Sequence, residues 1–220
     1  MAFDRNRAAG ALVEIVDALN GDPVVGMGFR LVDDVVVTSC RCLQRQRGKV
    51  NLPDPDAPAI LVLTRLRRPG TRKAAFGIVT FADPYSNLAL LRTRTASGLE
   101  VPDELNPVIS NRELVAGLEV APPELSPAAD APVSVCAPGM RWVEGMARGP
   151  TLSAASPAER FPGAILGAPV FSGEGCVRGV VTAVAEGGLA AQMTLLAEHL
   201  PGWALREARA TRGGAAAPAP

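Results

Sequence analysis

Short apolar runs separated by turn residues recur along this chain, and most are too short to form a helix. The runs with the length and composition of strands are Leu12–Val16, Val24–Leu31, Val35–Thr38, Ile60–Leu66, Ala74–Phe81, Leu88–Arg92, Val133–Ala137, Arg141–Ala147, Pro169–Phe171 and Val177–Ala185. Met193–His199 predicts a short helix that ends at Pro201-Gly202. Regularly spaced short strands without βαβ alternation predict an all-β protein built as a sandwich or as barrels.

The apolar pattern weakens between Glu100 and Pro132, where Pro, Glu and Ala dominate. We therefore place a boundary there and expect two lobes, residues 8–105 and 106–205. Residues 206–220 end in Gly213–Pro220, which has nothing to bury, and we expect a disordered tail or linker. The 22 glycines and 20 prolines suit many short elements joined by turns.

Overall composition excludes several classes of protein. Apolar residues make up 48% and charged residues 20%, which is a globular balance. No apolar run approaches the length of a membrane span, and Met1–Arg7 is not followed by the apolar core of a signal peptide. We therefore expect a cytoplasmic protein that does not bind membranes. The formal net charge of zero and the 4% aromatic content argue against nucleic acid as a partner.

Basic residues concentrate in the first half of the chain. The candidates for an interaction surface are Arg45, Arg47, Arg65, Arg67 and Arg68. They form either solvated loops or a basic surface that binds an acidic partner. Binding of a polyanion or nucleic acid through the same residues is a third possibility for function.

The four cysteines predict neither a metal site nor a disulfide framework. Cys40 and Cys42 form a C-x-C pair, while Cys136 and Cys176 are distant singles, whereas zinc sites favour C-x2-C pairs. Buried structural thiols in a reducing compartment are the simpler interpretation. We find no glycine-rich phosphate loop and no clustered metal ligands, so no cofactor is predicted.

Three segments, in order, carry a family resemblance. The matching segments are Gly26–Val32 with Val35–Leu43, Asp83–Arg92, and Pro162–Phe171 with Gly179–Ala183. They resemble three motifs of the trypsin-like (chymotrypsin-fold) serine proteases, especially the bacterial branch. The resemblance spans about residues 10–203 and extends to a last strand and closing helix in Leu189–Leu200. It implies two six-stranded β-barrel lobes followed by a short C-terminal helix.

The same alignment places other residues at the catalytic positions. Arg41 stands where the family has its histidine, Asn87 where it has aspartate, and Leu166 where it has the nucleophilic serine. Ala164 stands at the glycine that helps to form the oxyanion hole. Arginine is not a general base at neutral pH, asparagine has no negative charge, and leucine has no nucleophilic atom. The resemblance therefore implies an inactive pseudoprotease.

Several expectations follow for this site. Arg41 would donate from its guanidinium to the amide oxygen of Asn87, and Leu166 would fill the groove; the site then either grips a peptide or has decayed without use. His199, the single histidine, is expected in the closing helix away from the cleft. Arg41 beside Cys40 and Cys42 would in principle lower a thiol pKa, although no base accompanies them.

Three functions stay open at this point. The first is a protein-interaction module, an adaptor or regulator in a bacterial signalling or defence assembly, whose partner adds a peptide strand or offers an acidic surface. The second is an active serine-type hydrolase with a displaced nucleophile, with Ser39, Ser172 or Cys40 as candidates. The third is the polyanion binder described above.

Overall fold

The computed structural model describes residues 3–17, 23–32, 35–47, 63–67, 69, 74–92 and 130–213. Its strands are β1 (Leu12–Val16), β2 (Val24–Val32), β3 (Val35–Ser39), β4 (Leu63–Arg67), β5 (Ala74–Asp83), β6 (Leu88–Arg92), β7 (Ala131–Ala137), β8 (Arg141–Arg148), β9 (Thr151–Ala154), β10 (Pro169–Ser172), β11 (Val177–Val184) and β12 (Ala190–Leu195). Its helices are α1 (Arg5–Ala9), α2 (Cys40–Arg47), α3 (Leu196–His199) and α4 (Gly202–Gly213).

The strands form two closed antiparallel barrels. The first has the order β1-β2-β3-β6-β5-β4, and the second has the order β10-β11-β12-β9-β8-β7. The prediction of two six-stranded barrels is confirmed. Within the described residues, β1 and β4 pair at Glu14↔Arg67 and Ile15↔Leu66, which close the first barrel. Closure does not pair every strand along its whole length: residues 183–184 of β11 pair with β12, whereas the pairing of β11 with β10 ends at Val180.

The apolar runs of the sequence become the walls and core of the barrels. All five residues of β1 are buried, as are all five of β3. In β8 the buried positions alternate with more exposed ones, as expected for a strand with one face toward the core. The largest fully buried side chains include Phe29 in the first barrel and Phe171 in the second.

Several elements differ from the sequence prediction. Met193–His199 is not one helix, because β12 continues to Leu195 and only Leu196–His199 is helical. Strand β9 at Thr151–Ala154 and helix α2 were not predicted. The boundary expected between residues 100 and 132 lies almost entirely outside the described residues.

The assignment of residues 206–220 to a disordered tail is wrong for its first part. Helix α4 runs through Gly213, and it buries Ala204 and Ala208 against the rest of the protein. Arg92 of the first barrel lies 5.2 Å over the Trp203 ring and forms an ion pair of 3.0 Å with Glu207. The helix therefore ties the end of the chain back to the first barrel; residues 214–220 lie outside the described part.

Among the described helices, none has the length and apolar character needed to cross a membrane.

Candidate functional site

Arg41 is held at the junction of the barrels by the first turn of α2. Its neighbours Cys40 and Cys42 are buried, whereas the Arg41 side chain is exposed. Its backbone N–H donates to Asn87 Oδ1 at 3.1 Å and to Ser39 Oγ at 3.2 Å. Its guanidinium Nη1 lies 3.4 Å from the carbonyl oxygen of Thr182 in the second barrel, at the long end of a hydrogen bond.

Asn87 joins the two barrels through both ends of its amide. Its backbone is left-handed, with φ of 58°, which asparagine tolerates better than most residues. The Oδ1 atom accepts from the backbone N–H of Arg41 and from Ser39 Oγ at 3.2 Å, while Nδ2 donates to Thr182 O at 3.1 Å. A carboxylate at this position would have no proton to donate to Thr182 O.

This geometry corrects the expected contact between Arg41 and Asn87. The backbone N–H of Arg41 reaches the amide oxygen, and the guanidinium turns to Thr182 instead. Thr182 is a site residue that the sequence analysis missed. Its contribution is a main-chain carbonyl, which residue type does not reveal, although Gly179–Ala183 was part of the third motif.

Leu166 is buried where the loop before β10 meets the first barrel. Its side chain is 3% exposed, and its carbonyl oxygen accepts from Met27 N at 2.7 Å and Cys42 Sγ at 3.0 Å. Gly167 follows in a left-handed conformation, with φ of 81°, and its N–H donates to Val181 O at 2.7 Å. Leu166 is therefore a packing residue held by contacts to both barrels.

Ala164 lies within a 3-10 turn formed by Gly163–Ile165. The Ile165 N–H donates to Pro162 O at 3.0 Å, in the i→i+3 pattern of this turn. The Ile165 amide proton is therefore used within the loop.

Two cavities meet at Arg41. The smaller, of about 300 Å³, is lined by residues that include Arg41, Phe161, Leu166, Val184 and Glu186. The larger, of about 1030 Å³, is lined from both barrels by residues that include Arg41, Asp83, Tyr85, Asn87, Thr182 and His199. His199 thus lines the inter-barrel cavity, and the expectation that it lies away from the cleft is wrong.

The turn between β5 and β6 carries Tyr85 at the rim of the larger cavity. Asp83 holds this turn by accepting from Tyr85 N at 2.9 Å and from Ser86 Oγ at 2.6 Å. The Ser86 hydroxyl holds the pKa of Asp83 below its usual value, and the Tyr85 N–H and the charge of His199 act in the same direction. The Tyr85 side chain is 99% exposed, and the sequence analysis did not single it out.

The Cys40 thiol beside Arg41 is not activated. Burial raises the pKa of Cys40 to about 12, and its Sγ donates to Leu88 O at 3.1 Å. Burial likewise raises the pKa of Cys136 to about 12. The suggestion that Arg41 lowers a thiol pKa is therefore wrong for Cys40, because desolvation of the thiolate outweighs any attraction to the guanidinium.

Among the basic candidates of the first half, Arg67 is the one whose side chain the structure describes. Arg67 forms an ion pair with the buried Glu14, with Nη2–Oε2 2.8 Å and Nε–Oε2 2.9 Å. Arg45 and Arg47 lie in α2 and Arg65 lies in β4, but their side chains are not described. Arg68 lies outside the described residues. Arg67 is thus a structural residue of the first barrel.

Within the described ranges, no group of three or more His, Cys, Asp or Glu side chains has the arrangement of a metal site.

No protein-family model matches the sequence, and neither does any curated protein. Among solved structures, the crystal structure of Rv3671c from M. tuberculosis, an inactive serine-to-alanine mutant, matches with a TM-score of 0.52 at 15% sequence identity. The match covers 97% of this chain and 92% of that chain, and at this identity it bears on the fold alone. Together with the two closed barrels, it shows that this protein has the two-barrel trypsin-like fold.

Proposed function

We propose that this chain is a catalytically inactive trypsin-like protein that acts as a protein-interaction module. The inter-barrel site of Arg41, Asn87 and Leu166 is the observation that carries the proposal. Acyl transfer needs a nucleophile, a base to take its proton and a group that orients the base. Arginine, asparagine and leucine supply none of these three roles.

The neighbouring hydroxyls and thiol are poor replacements. Ser39 is fully buried, and its Oγ is engaged with Asn87 Oδ1 and the Arg41 N–H. Ser172 Oγ is buried without a partner in the described part of the chain, so nothing there would take its proton. Cys40, with its pKa near 12, is a thiol rather than a thiolate at neutral pH. These observations count against a displaced nucleophile.

The exposed side chain of Tyr85 supports the proposal that this protein binds a protein partner. Tyrosine is enriched in protein interfaces because it combines large apolar area with a polar tip and few rotatable bonds. Here a turn held by Asp83 presents it almost wholly to solvent beside an open cavity. Residues 183–184 of β11 pair with β12 alone and line the cavities beside Arg41, so a partner that adds a peptide strand there is also part of the proposal. An acidic partner contacting Arg45, Arg47, Arg65 and Arg68, in a cytoplasmic bacterial signalling or defence assembly, is part of the proposal.

Covalent labelling tests the loss of catalysis. We expect a fluorophosphonate probe to label neither Ser39 nor Ser172 in the folded chain, because neither hydroxyl is hydrogen-bonded to a general base in the described part of the chain. We expect iodoacetamide to spare Cys40 at about pH 8, where a thiol of pKa near 12 is only about 1 part in 10,000 thiolate. The measurement is intact-mass spectrometry, and the same chain unfolded in urea is the control for thiol reactivity. Stoichiometric labelling of Ser39, Ser172 or Cys40 in the native state would establish a hidden nucleophile.

Recovery of a partner tests the interaction role. A tagged full chain captured from native lysate is expected to retain a stoichiometric protein, and Tyr85→Ala should reduce recovery by about tenfold or more if Tyr85 is an interface anchor. Leu189→Ala is the matched control, since Leu189 is a large apolar side chain that is 47% exposed outside the turn. Arg65→Glu combined with Arg68→Glu tests the basic residues. Absence of a stoichiometric partner, or equal recovery by the Tyr85 and Leu189 variants, would count against the proposed surface.

A further inference from the structure

The segment before β1 crosses onto an outer face of the second barrel. The Phe3 ring lies 5.4 Å from the Trp142 ring in an edge-on arrangement and 4.9 Å from the Phe171 ring. Trp142 and Phe171 lie 5.7 Å from each other, so the three rings form one cluster. Phe3 is thus seated between two aromatic side chains that come from a different barrel from the one its segment enters.

Arg5 adds a charged contact to the same face. Its guanidinium lies 5.3 Å over the Trp142 ring and forms an ion pair with Glu144. The Glu144 carboxylate also accepts from Ser134 Oγ at 2.7 Å, so the second barrel itself orients it. We call Ser134, Trp142, Glu144 and Phe171 the aromatic face.

The aromatic face is built from neighbouring strands. Strand β7 carries Ser134, β8 carries Trp142 and Glu144, and β10 carries Phe171. In the second barrel, β7 lies between β8 and β10 and pairs with both. Such paired strands hold the rings and the carboxylate at fixed spacing whether or not Phe3 is present. The surface is therefore preorganised, which lowers the cost of binding a short segment.

The segment that occupies the face is held mainly through side chains. Helix α1 has only five residues, too few to be stable without tertiary contacts. The Arg5–Glu144 pair is solvent-accessible, with side-chain exposures of 48% and 41%. Pairs of this kind contribute little and are easily exchanged. Phe3 and Arg5 are thus the contacts of this segment with the aromatic face, while Ala8 of α1 is buried in the core.

We propose that the aromatic face is a docking site for a linear segment of another protein that carries an aromatic residue two positions before an arginine. The Phe3-Asp4-Arg5 stretch is the internal ligand that occupies the face until such a segment competes for it. This pattern matches the chemistry of the face. An aromatic side chain packs against the rings of Trp142 and Phe171, and an arginine pairs with Glu144 while it stacks on Trp142. The site shares no residue with the inter-barrel site, and the proposal does not depend on the loss of catalysis.

Peptide binding in solution tests this assignment. The probe is the octapeptide of residues 2–9, AFDRNRAA, and the reporter is Trp142 fluorescence in a full chain carrying Trp203→Phe. Adding Phe3→Ala and Arg5→Ala should open the face, and the peptide should then change the fluorescence in a saturable way. The chain with its own Phe3 and Arg5 should bind at least about tenfold more weakly, since its face is free only a small fraction of the time. A peptide with alanine in place of its phenylalanine should not bind.

Each other outcome counts against the proposal. Equal binding to both chains would mean that the peptide does not use the aromatic face. No binding to the doubly substituted chain, with its β-rich circular dichroism retained, would mean that the segment is only part of the fold. If that chain does not fold, Arg5→Ala alone, which removes the exposed ion pair and the stacking on Trp142 but leaves Phe3, should give the same ranking of affinities. Dimerisation of the unaltered chain that is lost with Phe3→Ala would assign the face to a second copy rather than to another protein.

Discussion

Gly167→Ala is expected to lower the free energy of unfolding by about 3–5 kcal/mol, the range of severe single substitutions. Gly167 has a φ of 81°, and a Cβ there would lie 2.0 Å from Met27 O and 2.4 Å from Thr38 Oγ1. Both atoms already bond each other, with Thr38 Oγ1 donating to Met27 O at 2.7 Å. The methyl group therefore has to displace backbone of the first barrel, as well as adopt a left-handed conformation that alanine disfavours.

Gly187→Ala separates the steric clash of the added methyl group from the cost of the left-handed backbone. Gly187 has a similar φ of 79°, but a Cβ there would meet no atom within 4 Å. Its replacement should cost only about 1 kcal/mol, the conformational part of the effect. Urea unfolding followed by circular dichroism measures both variants. Similar losses for the two would show that the approach of Leu166 and Gly167 to the first barrel is not what stabilises the junction.

Arg67→Met is expected to destabilise the protein by about 3 kcal/mol or more, because it leaves a buried carboxylate without its cation. Glu14 has a side-chain exposure of 4%, and it pairs with Arg67 directly across the seam that closes the first barrel. Its other described contact is an acceptor bond from the Gly139 N–H of the second barrel, at 3.3 Å. One ion pair thus stabilises both the barrel closure and a contact between the barrels.

Two further variants test this assignment. Glu14→Gln combined with Arg67→Met should recover much of the loss, since no unpaired charge then stays buried. Arg148→Met is the control for an exposed pair, because Arg148 and Asp130 have side-chain exposures of 73% and 50%. It should cost less than about 1 kcal/mol. If Arg67→Met and Arg148→Met lower the free energy of unfolding equally, the ion pair of Arg67 with Glu14 is not what stabilises the seam. Arg67 then remains a candidate for the predicted basic surface.

The elements of the barrels were largely predictable, and the helices were not. Strands such as Val35–Ser39 are short, β-branched and bounded by turn residues, so local composition predicts them well. Helix α4 was not predicted, because Pro201-Gly202 was taken as a helix end and Gly213–Pro220 as a segment with nothing to bury. Its stability comes instead from burial of Ala204 and Ala208 and from contacts with Arg92 of the first barrel. Such tertiary contacts leave no local signal.

At the candidate site, the sequence predicted the residue types but not their hydrogen-bond partners. Motif order placed Arg41, Asn87 and Leu166 in one region, and the structure brings them together between the barrels. The directions of their hydrogen bonds were not predictable. Asn87 Nδ2 and the Arg41 guanidinium both turn to the carbonyl of Thr182, which belongs to the other barrel. A main-chain acceptor is the same for every residue type, so a sequence does not single it out.

The sequence alone determined the strand pattern, the two-lobed organisation and the chemistry available at the candidate site. Those follow from local properties, since arginine is no general base and leucine no nucleophile wherever the chain places them. Only the tertiary structure decided that Arg67 neutralises a buried glutamate, that His199 lines the inter-barrel cavity and that Phe3 lies on the second barrel. These contacts join residues far apart in the chain, and they exist because both barrels close and their ends pack against each other.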